Sequence, residues 1–480
     1  MLVVSLGLGI FSDALLRVTP WGLNLFVVTL GVLLASRLLA GWGAVELRGE
    51  GRWLVAPMAF FGFGLVWRDS PTLDVANWLG LLVSASLAAL TARAGQLRLA
   101  GVTQYVLGVA YVAQFALGGL LPAVRWDVRP RELGRGWWLR PSLAAGRGVL
   151  LAIPPLVVFG SLFTAADTNF ERLVDETFGS LDLRDGLLHV GLTLAYAWLL
   201  GGTLREMLLA PLRPREWLNG PRGGPRAGAI EVVVVLMLLN LLFATFVVLQ
   251  LPYLFGGMSE VARLGYSEYA RRGFFELVWV TGLAVPVLLL THWLVRDASP
   301  RGERLVRLLA LVLVGLLYVV MASAAERLWL YVDSFGLTEL RVQAAALMVW
   351  LAIVLAWFVA TVVRQRRHHF GFGALVSALV VLAALDVINP DALIVRTNAH
   401  RQHLVESNAP FDERPLASFS PDATPAIVEA LPLLTAEARE QVEARLHQRA
   451  PRLASTVQDW RSFNLSRAQA VQALAQDGNG

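Results

Sequence analysis

Twelve apolar runs of spanning length, separated by short segments rich in arginine, leave this chain few folds to choose from. The runs fall near 2–16, 21–42, 53–67, 74–91, 99–121, 146–165, 187–204, 229–251, 273–295, 306–323, 342–363 and 371–388. A helix needs about 20 apolar residues to cross a hydrocarbon core of about 30 Å, and most of the runs supply them. The expected fold class is all-α, a polytopic transmembrane helical bundle. With 56% hydrophobic and 16% charged residues, little apolar material is left for a separate soluble core. The first run is short and carries Asp13, so eleven spans are the alternative count. It lacks a basic leader and runs at once into the second, which argues against a cleaved signal peptide.

Two absences narrow the chemistry. Without cysteine there is no disulfide, thiolate nucleophile or Cys-ligated metal. Lysine is absent too, so all 41 basic residues are arginine, and a P-loop lysine or Schiff-base lysine is excluded. A net charge of +5 could suggest nucleic acid, but the arginines lie between apolar runs, where membrane topology explains them. No nucleic-acid partner is expected; the lipid bilayer is.

Arginine counts orient the chain. Segments 122–147, 205–226, 296–307 and 364–367 hold eighteen arginines and are expected in the cytoplasm; the alternate segments 166–185, 253–272 and 324–341 hold seven and are expected outside. Upstream the rule weakens. If every run crosses, Arg48 and Arg52 fall outside and Arg68 inside, which points to one early re-entrant segment.

Beyond Asn389 no run is long enough to span. The chain is expected to divide into a transmembrane domain, 1–388, and an extracytoplasmic helical tail, 389–480. Ser420 and Asp422 precede a helical segment at 421–434, and Thr435 is placed to cap a helix over 436–449 that Pro451 stops. A third helix, about 465–476, starts at Asn464 or Ser466.

An ionisable side chain costs at least ~2.5 kcal/mol at a helix centre, so such groups face protein or water. Asp167, Glu276, Arg327, Arg341 and Asp386 all fall at the outer ends of runs, with Arg271 and Arg272 just ahead of Glu276. An outward polar cluster, with Asp386 or Glu276 paired to an arginine, is one arrangement; interfacial residues snorkelling to water are the plainer one. Pro154-Pro155 and Pro286 interrupt two of the same runs and free backbone carbonyls, as transporters use, although proline is common in membrane helices. The seven histidines form no H-E-x-x-H, so no metal site and no cofactor is expected. The glycine-rich stretch 220–225 lacks the strand and lysine of a phosphate loop.

Several stretches resemble a group of bacterial membrane proteins, the domain-of-unknown-function family numbered 4173 and its relative 4153. They are Phe159-Gly160-Ser161-Leu162-Phe163 leading to Asp167 and Phe170; Arg272-Gly273-Phe274-Phe275-Glu276-Leu277; Arg327-Leu328 with Tyr331 and Phe335-Gly336-Leu337-Thr338; and Asn389-Pro390-Asp391-Ala392-Leu393-Ile394 with Arg396 and Asn398. Asp13-Ala14-Leu15-Leu16 with Trp21-Gly22-Leu23 is similar to the family's opening hairpin. The resemblance implies a multi-pass envelope protein with a helical C-terminal extension, and supplies no activity or catalytic residue. Its motifs bracket the outer cluster, so Tyr331, Asn389, Asp391, Arg396 and Asn398 join the candidate site.

Three functions remain open. A non-enzymatic binding, sensing or scaffold component, with a protein partner at the tail, fits the lack of catalytic constellations. A secondary transporter fits the broken helices and intramembrane carboxylates, but the two halves show no repeat. A transferase acting on lipid-linked substrates would need Glu276, Asp386 or Asp391 as acid or base.

Overall fold

The computed structural model describes residues 1–43, 45–47, 49–93, 97–99, 101–119, 183–209, 228–255, 274–294, 299–364, 369–404 and 420–477, with the single residues 163, 167 and 172. Its regular structure is helical throughout: α1 (Leu2–Leu16), α2 (Leu23–Trp42), α3 (Val55–Trp67), α4 (Pro71–Thr91), α5 (Val102–Gly118), α6 (Leu183–Leu209), α7 (Ala229–Phe255), α8 (Phe274–Leu294), α9 (Pro300–Phe335), α10 (Glu339–Phe358), α11 (Phe370–Ile388) and α12 (Pro390–Leu404). The tail adds α13 (Thr424–Ala430), α14 (Ala436–Thr456) and α15 (Leu465–Asp477). Among the described residues, seven helices are long and apolar enough to cross a membrane, and α1 and α5 are shorter apolar helices. The chain is an all-α, multi-pass membrane protein. Eleven of the twelve expected runs coincide with helices; the run at 146–165, with Pro154-Pro155, lies outside the described residues apart from Phe163.

The helices hold together through apolar faces. One core joins α7, α8, α9 and α10 through Leu236, Leu288, Leu317 and Leu355, each fully buried. Another joins α1 to α4 around Phe61, whose ring lies so close to Gly80 that a side chain there would collide with it. Small residues at crossings let helices approach where lipid supplies no hydrophobic drive between them. Asp13, the residue that made α1 doubtful as a span, is buried but accepts a hydrogen bond from Arg17 at 2.8 Å and lies 3.3 Å from His189 of α6.

Contacts also show which helix ends share a side. Arg68, at the end of α3, donates to the Asp386 carbonyl near the end of α11, and Thr72 of α4 donates to Glu339 at the start of α10. These ends form one face of the bundle, and the tail sits on it. At the opposite face Arg98 lies over Phe372 at the start of α11, its backbone N–H donates to Glu50, and Gly49 donates to the Ala92 carbonyl. Arg68 therefore shares a face with the tail and Arg52 lies at the opposite face, the reverse of their expected relation to the tail if every run crossed. Arg68 stands beside Asp422 on the tail face, while Arg52, Arg93 and Arg98 lie with Arg301, Arg304, Arg307 and Arg364 at the opposite ends of the helices. Arg48 lies outside the described residues.

At Asn389 the chain turns from α11 into α12. Asn389 adopts a left-handed conformation (φ 54°), which asparagine tolerates, and Pro390 opens the next helix where no N–H is needed. Ala392, Val395 and Ala399 of α12 then pack with Ala426, Ile427, Leu431, Val442, Leu446 and Leu474 into the core of the tail. The segment expected at 421–434 is α13 flanked by two 3₁₀ turns. The expectation that Pro451 ends a helix is overturned, because α14 runs through it to Thr456. Continuing the helix sets Leu453 against the tail core, which offsets the hydrogen bond that proline removes.

Candidate functional site

The tail meets the bundle at a buried polar seam built from the α3–α4 turn, the end of α11 and the first residues of the tail helices. Arg68-Asp69-Ser70 link α3 to α4 through a short extended stretch that ends in Pro71 at the first position of α4. This turn exposes several backbone groups that must find partners. Asn464, wholly buried, donates through Nδ2 to the carbonyls of Leu65 (3.1 Å) and Arg68 (2.6 Å), and its Oδ1 accepts from the Arg467 N–H at the start of α15. One side chain thus caps the ends of two helices.

Two guanidinium groups stitch the seam. Arg467, 3% exposed, forms a bidentate pair with Asp69, Nε to Oδ2 at 2.9 Å and Nη2 to Oδ1 at 2.6 Å. Its other nitrogen contacts reach the carbonyls of Ser462 (3.0 Å), Trp21 (3.2 Å) and Pro20 (3.5 Å). Arg68 lies over the Trp67 ring at 4.4 Å, donates to the Asp386 carbonyl at 2.7 Å, and stands 3.7 Å from Asp422. The Asp422 carboxylate also accepts from the Asp69 N–H (2.8 Å) and the Ser466 hydroxyl, while its backbone carbonyl accepts from Asn389. The approach is close at Gly22 as well: the Leu23 N–H donates to the Phe463 carbonyl at 2.9 Å, and a Cβ on Gly22 would lie only 2.4 Å from that oxygen.

Acid outnumbers base here. Among the described residues, Asp69, Asp74, Asp386, Asp391 and Asp422 gather around Arg68 and Arg467. Asp386, fully buried, accepts from Asn77 Nδ2 at 2.9 Å, yet its Oδ2 and the Asn77 Oδ1 have no hydrogen-bond partner. Asp391, in the first turn of α12 where the helix dipole favours a carboxylate, accepts from the Ser420 hydroxyl and leaves Oδ1 without a partner. Burial pushes the Asp422 carboxyl up to about 6, against the lowering effect of the Ser466 and Asp69 hydrogen bonds and of Arg68; Asp391 adds repulsion. Among the described residues no three His, Asp or Glu side chains are grouped to hold a metal.

The sequence-derived candidates separate into two groups and some isolated residues. Asp386, Asn389 and Asp391 belong to the seam. Arg341, Tyr331 and Asn398 brace the α9–α10 turn instead: Arg341 lies over the Tyr331 ring at 3.9 Å and donates to the Gly336 carbonyl, and Asn398 exchanges two hydrogen bonds with the Leu337 backbone. Arg327 bonds Gln250 of α7 at 2.8 Å, and Arg396 pairs with Glu429 on the surface of the tail. The pairing of Asp386 with Arg327 or Arg341 gives way to Asn77 and Arg68, which lie nearer. Glu276 and Asp167 are exposed; Arg271 and Arg272 lie outside the described residues. Sequence reasoning missed Arg68, Asp69, Asn77, Asp422, Asn464 and Arg467 as partners. The available signal was Arg68-Asp69-Ser70-Pro71 between two apolar runs, together with Asp422, Asn464 and Ser466 at helix starts.

A family model described as a domain of unknown function (DUF4153) matches residues 55–430. The match is to 4153, the relative of the 4173 family that the motifs resemble. Neither the curated proteins nor the solved structures yield a match.

Removing one member of a buried ion pair strands the other and costs about 3–5 kcal/mol. Arg467→Ala is therefore expected to loosen the tail, read as faster limited proteolysis within 420–477 while the membrane helices stay intact. An unchanged cleavage rate would show that the seam does not hold the tail.

The Asp422 carboxyl is raised in the docked state, so docking binds the proton more tightly than release does. Its contribution is fully present below the ordinary carboxylate value and is lost as pH rises through about 6. Proteolysis of the tail should accelerate between pH 5 and pH 7 in the native chain, and Asp422→Asn should flatten that difference.

Proposed function

The chain belongs to the DUF4153 family, and on that premise we propose a non-enzymatic membrane protein that acts as a binding, sensing or scaffold component of the bacterial inner membrane. The observation that carries this reading is the seam. Its polar side chains bind the tail to the bundle through Arg467, Asp69, Arg68, Asp422 and Asn464, so they serve to present a folded module at a fixed place on the membrane face. That face is the extracytoplasmic one. Supporting this sidedness, Arg52, Arg93, Arg98, Arg205, Arg301, Arg304, Arg307 and Arg364 lie toward the opposite face, and positive charge stays in the cytoplasm.

The absence of native cysteine allows a direct test. A single cysteine at Glu429, which is exposed on the tail, should react with a membrane-impermeant maleimide in intact cells, and one at exposed Arg304 should react only after lysis. The reverse pattern would overturn the sidedness and the tail's extracytoplasmic role together.

A second reading, secondary transport, draws on the buried oxygens of Asp386 and Asn77 that lack partners inside the bundle. Under it, Asp386→Asn changes ion-driven uptake into proteoliposomes. Flux equal to that of empty vesicles for every ion and solute tried would remove it.

A further inference from the structure

Two apolar grooves flank α10, and each encloses about 570 Å³. One runs between α4, α10 and α11, the other between α8 and α10. They share Gln343, Leu347 and Trp350, which form a ridge of α10 between them. From Leu340 to Val354 the second groove extends fourteen residues along the helix, about 21 Å at 1.5 Å per residue, which exceeds one leaflet of a 30 Å core. Pro286 lines it from α8.

The head of this paired groove is polar. Gln343 donates to the Thr72 hydroxyl at 3.3 Å, and Thr72 donates to the exposed Glu339 carboxylate at 3.2 Å. Glu276, also exposed, lies in the first turn of α8 between the lining residues Phe275 and Trp279. Arg341, on the same turn of α10 as Glu339, is buried under the α9–α10 turn, stacked on Tyr331. Among the described residues, the groups at the mouth are thus two carboxylates and two neutral side chains. We propose that this site binds one two-chain phospholipid with an amine headgroup, its chains straddling α10 and its ammonium set against Glu339 and Glu276. Two grooves of equal volume that converge on one polar head match two chains on one headgroup, and a single-chain lipid would leave one groove unfilled. Among the described residues, the two carboxylates of the mouth oppose a headgroup whose only charge is its phosphate.

The purified full-length protein would be exchanged into an equimolar mixture of phosphatidylethanolamine, phosphatidylglycerol and lysophosphatidylethanolamine, and retained lipid counted by native mass spectrometry. A surface amine–carboxylate contact translates into a preference of up to about fivefold, so phosphatidylethanolamine is expected to exceed phosphatidylglycerol by about that factor. The lyso form should be retained least. Glu339→Gln should bring the two diacyl lipids toward parity, and Leu347→Trp, at an exposed ridge position, should lower retention of both with the helical content unchanged. Equal retention of the two headgroups by the native protein, lyso lipid held as well as diacyl lipid, or unchanged binding in Leu347→Trp would each overturn the proposal.

Discussion

The bidentate contact between Arg467 and Asp69 is the interaction on which the arrangement of this protein turns. One partner belongs to the last helix of the chain and the other to the first turn beyond α3, 398 residues apart. Two charges removed from water are stable only when each finds its complement with good geometry. Here the guanidinium uses both carboxylate oxygens and the remaining N–H groups reach backbone carbonyls. With that contact made, the chain from Asn389 onward has a fixed seat, and Asn464 and Asp422 complete it by satisfying the backbone of the same turn.

The seam also has a charge imbalance that bears on its behaviour. Burial works against the charged form of the Asp422 carboxyl, and its hydrogen bonds and Arg68 offset only part of that effect. The docked tail is consequently sensitive to protons through Asp422, while Asp386 and Asp391 each keep an oxygen without a donor. A contact of this kind holds two bodies together and still responds to conditions at the membrane surface.

Much of the fold is legible in the residues. Runs of apolar side chains gave most of the described membrane helices to within a few residues, although α9 continues twelve residues past the expected 323, and Asn464 and Pro390 mark helix starts by the groups they supply or lack. The pairings were not legible. Arg68 looked like a cytoplasmic loop arginine because sides were assigned by alternation along the chain, with no contact between distant helices to anchor them. Glu276 looked equivalent to Asp386 by depth, yet depth says nothing of rotation about the helix axis. Asp386 turns inward to Asn77, and Glu276 turns to the surface.

The sequence by itself determined the solvent, the helical class and the presence of a polar extension, because hydrophobicity and backbone hydrogen bonding are summed over local stretches of chain. The tertiary structure decided which charges meet. An ion pair between residues hundreds of positions apart depends on the rotation and end-to-end direction of every helix between them, and neither quantity is written in any local pattern.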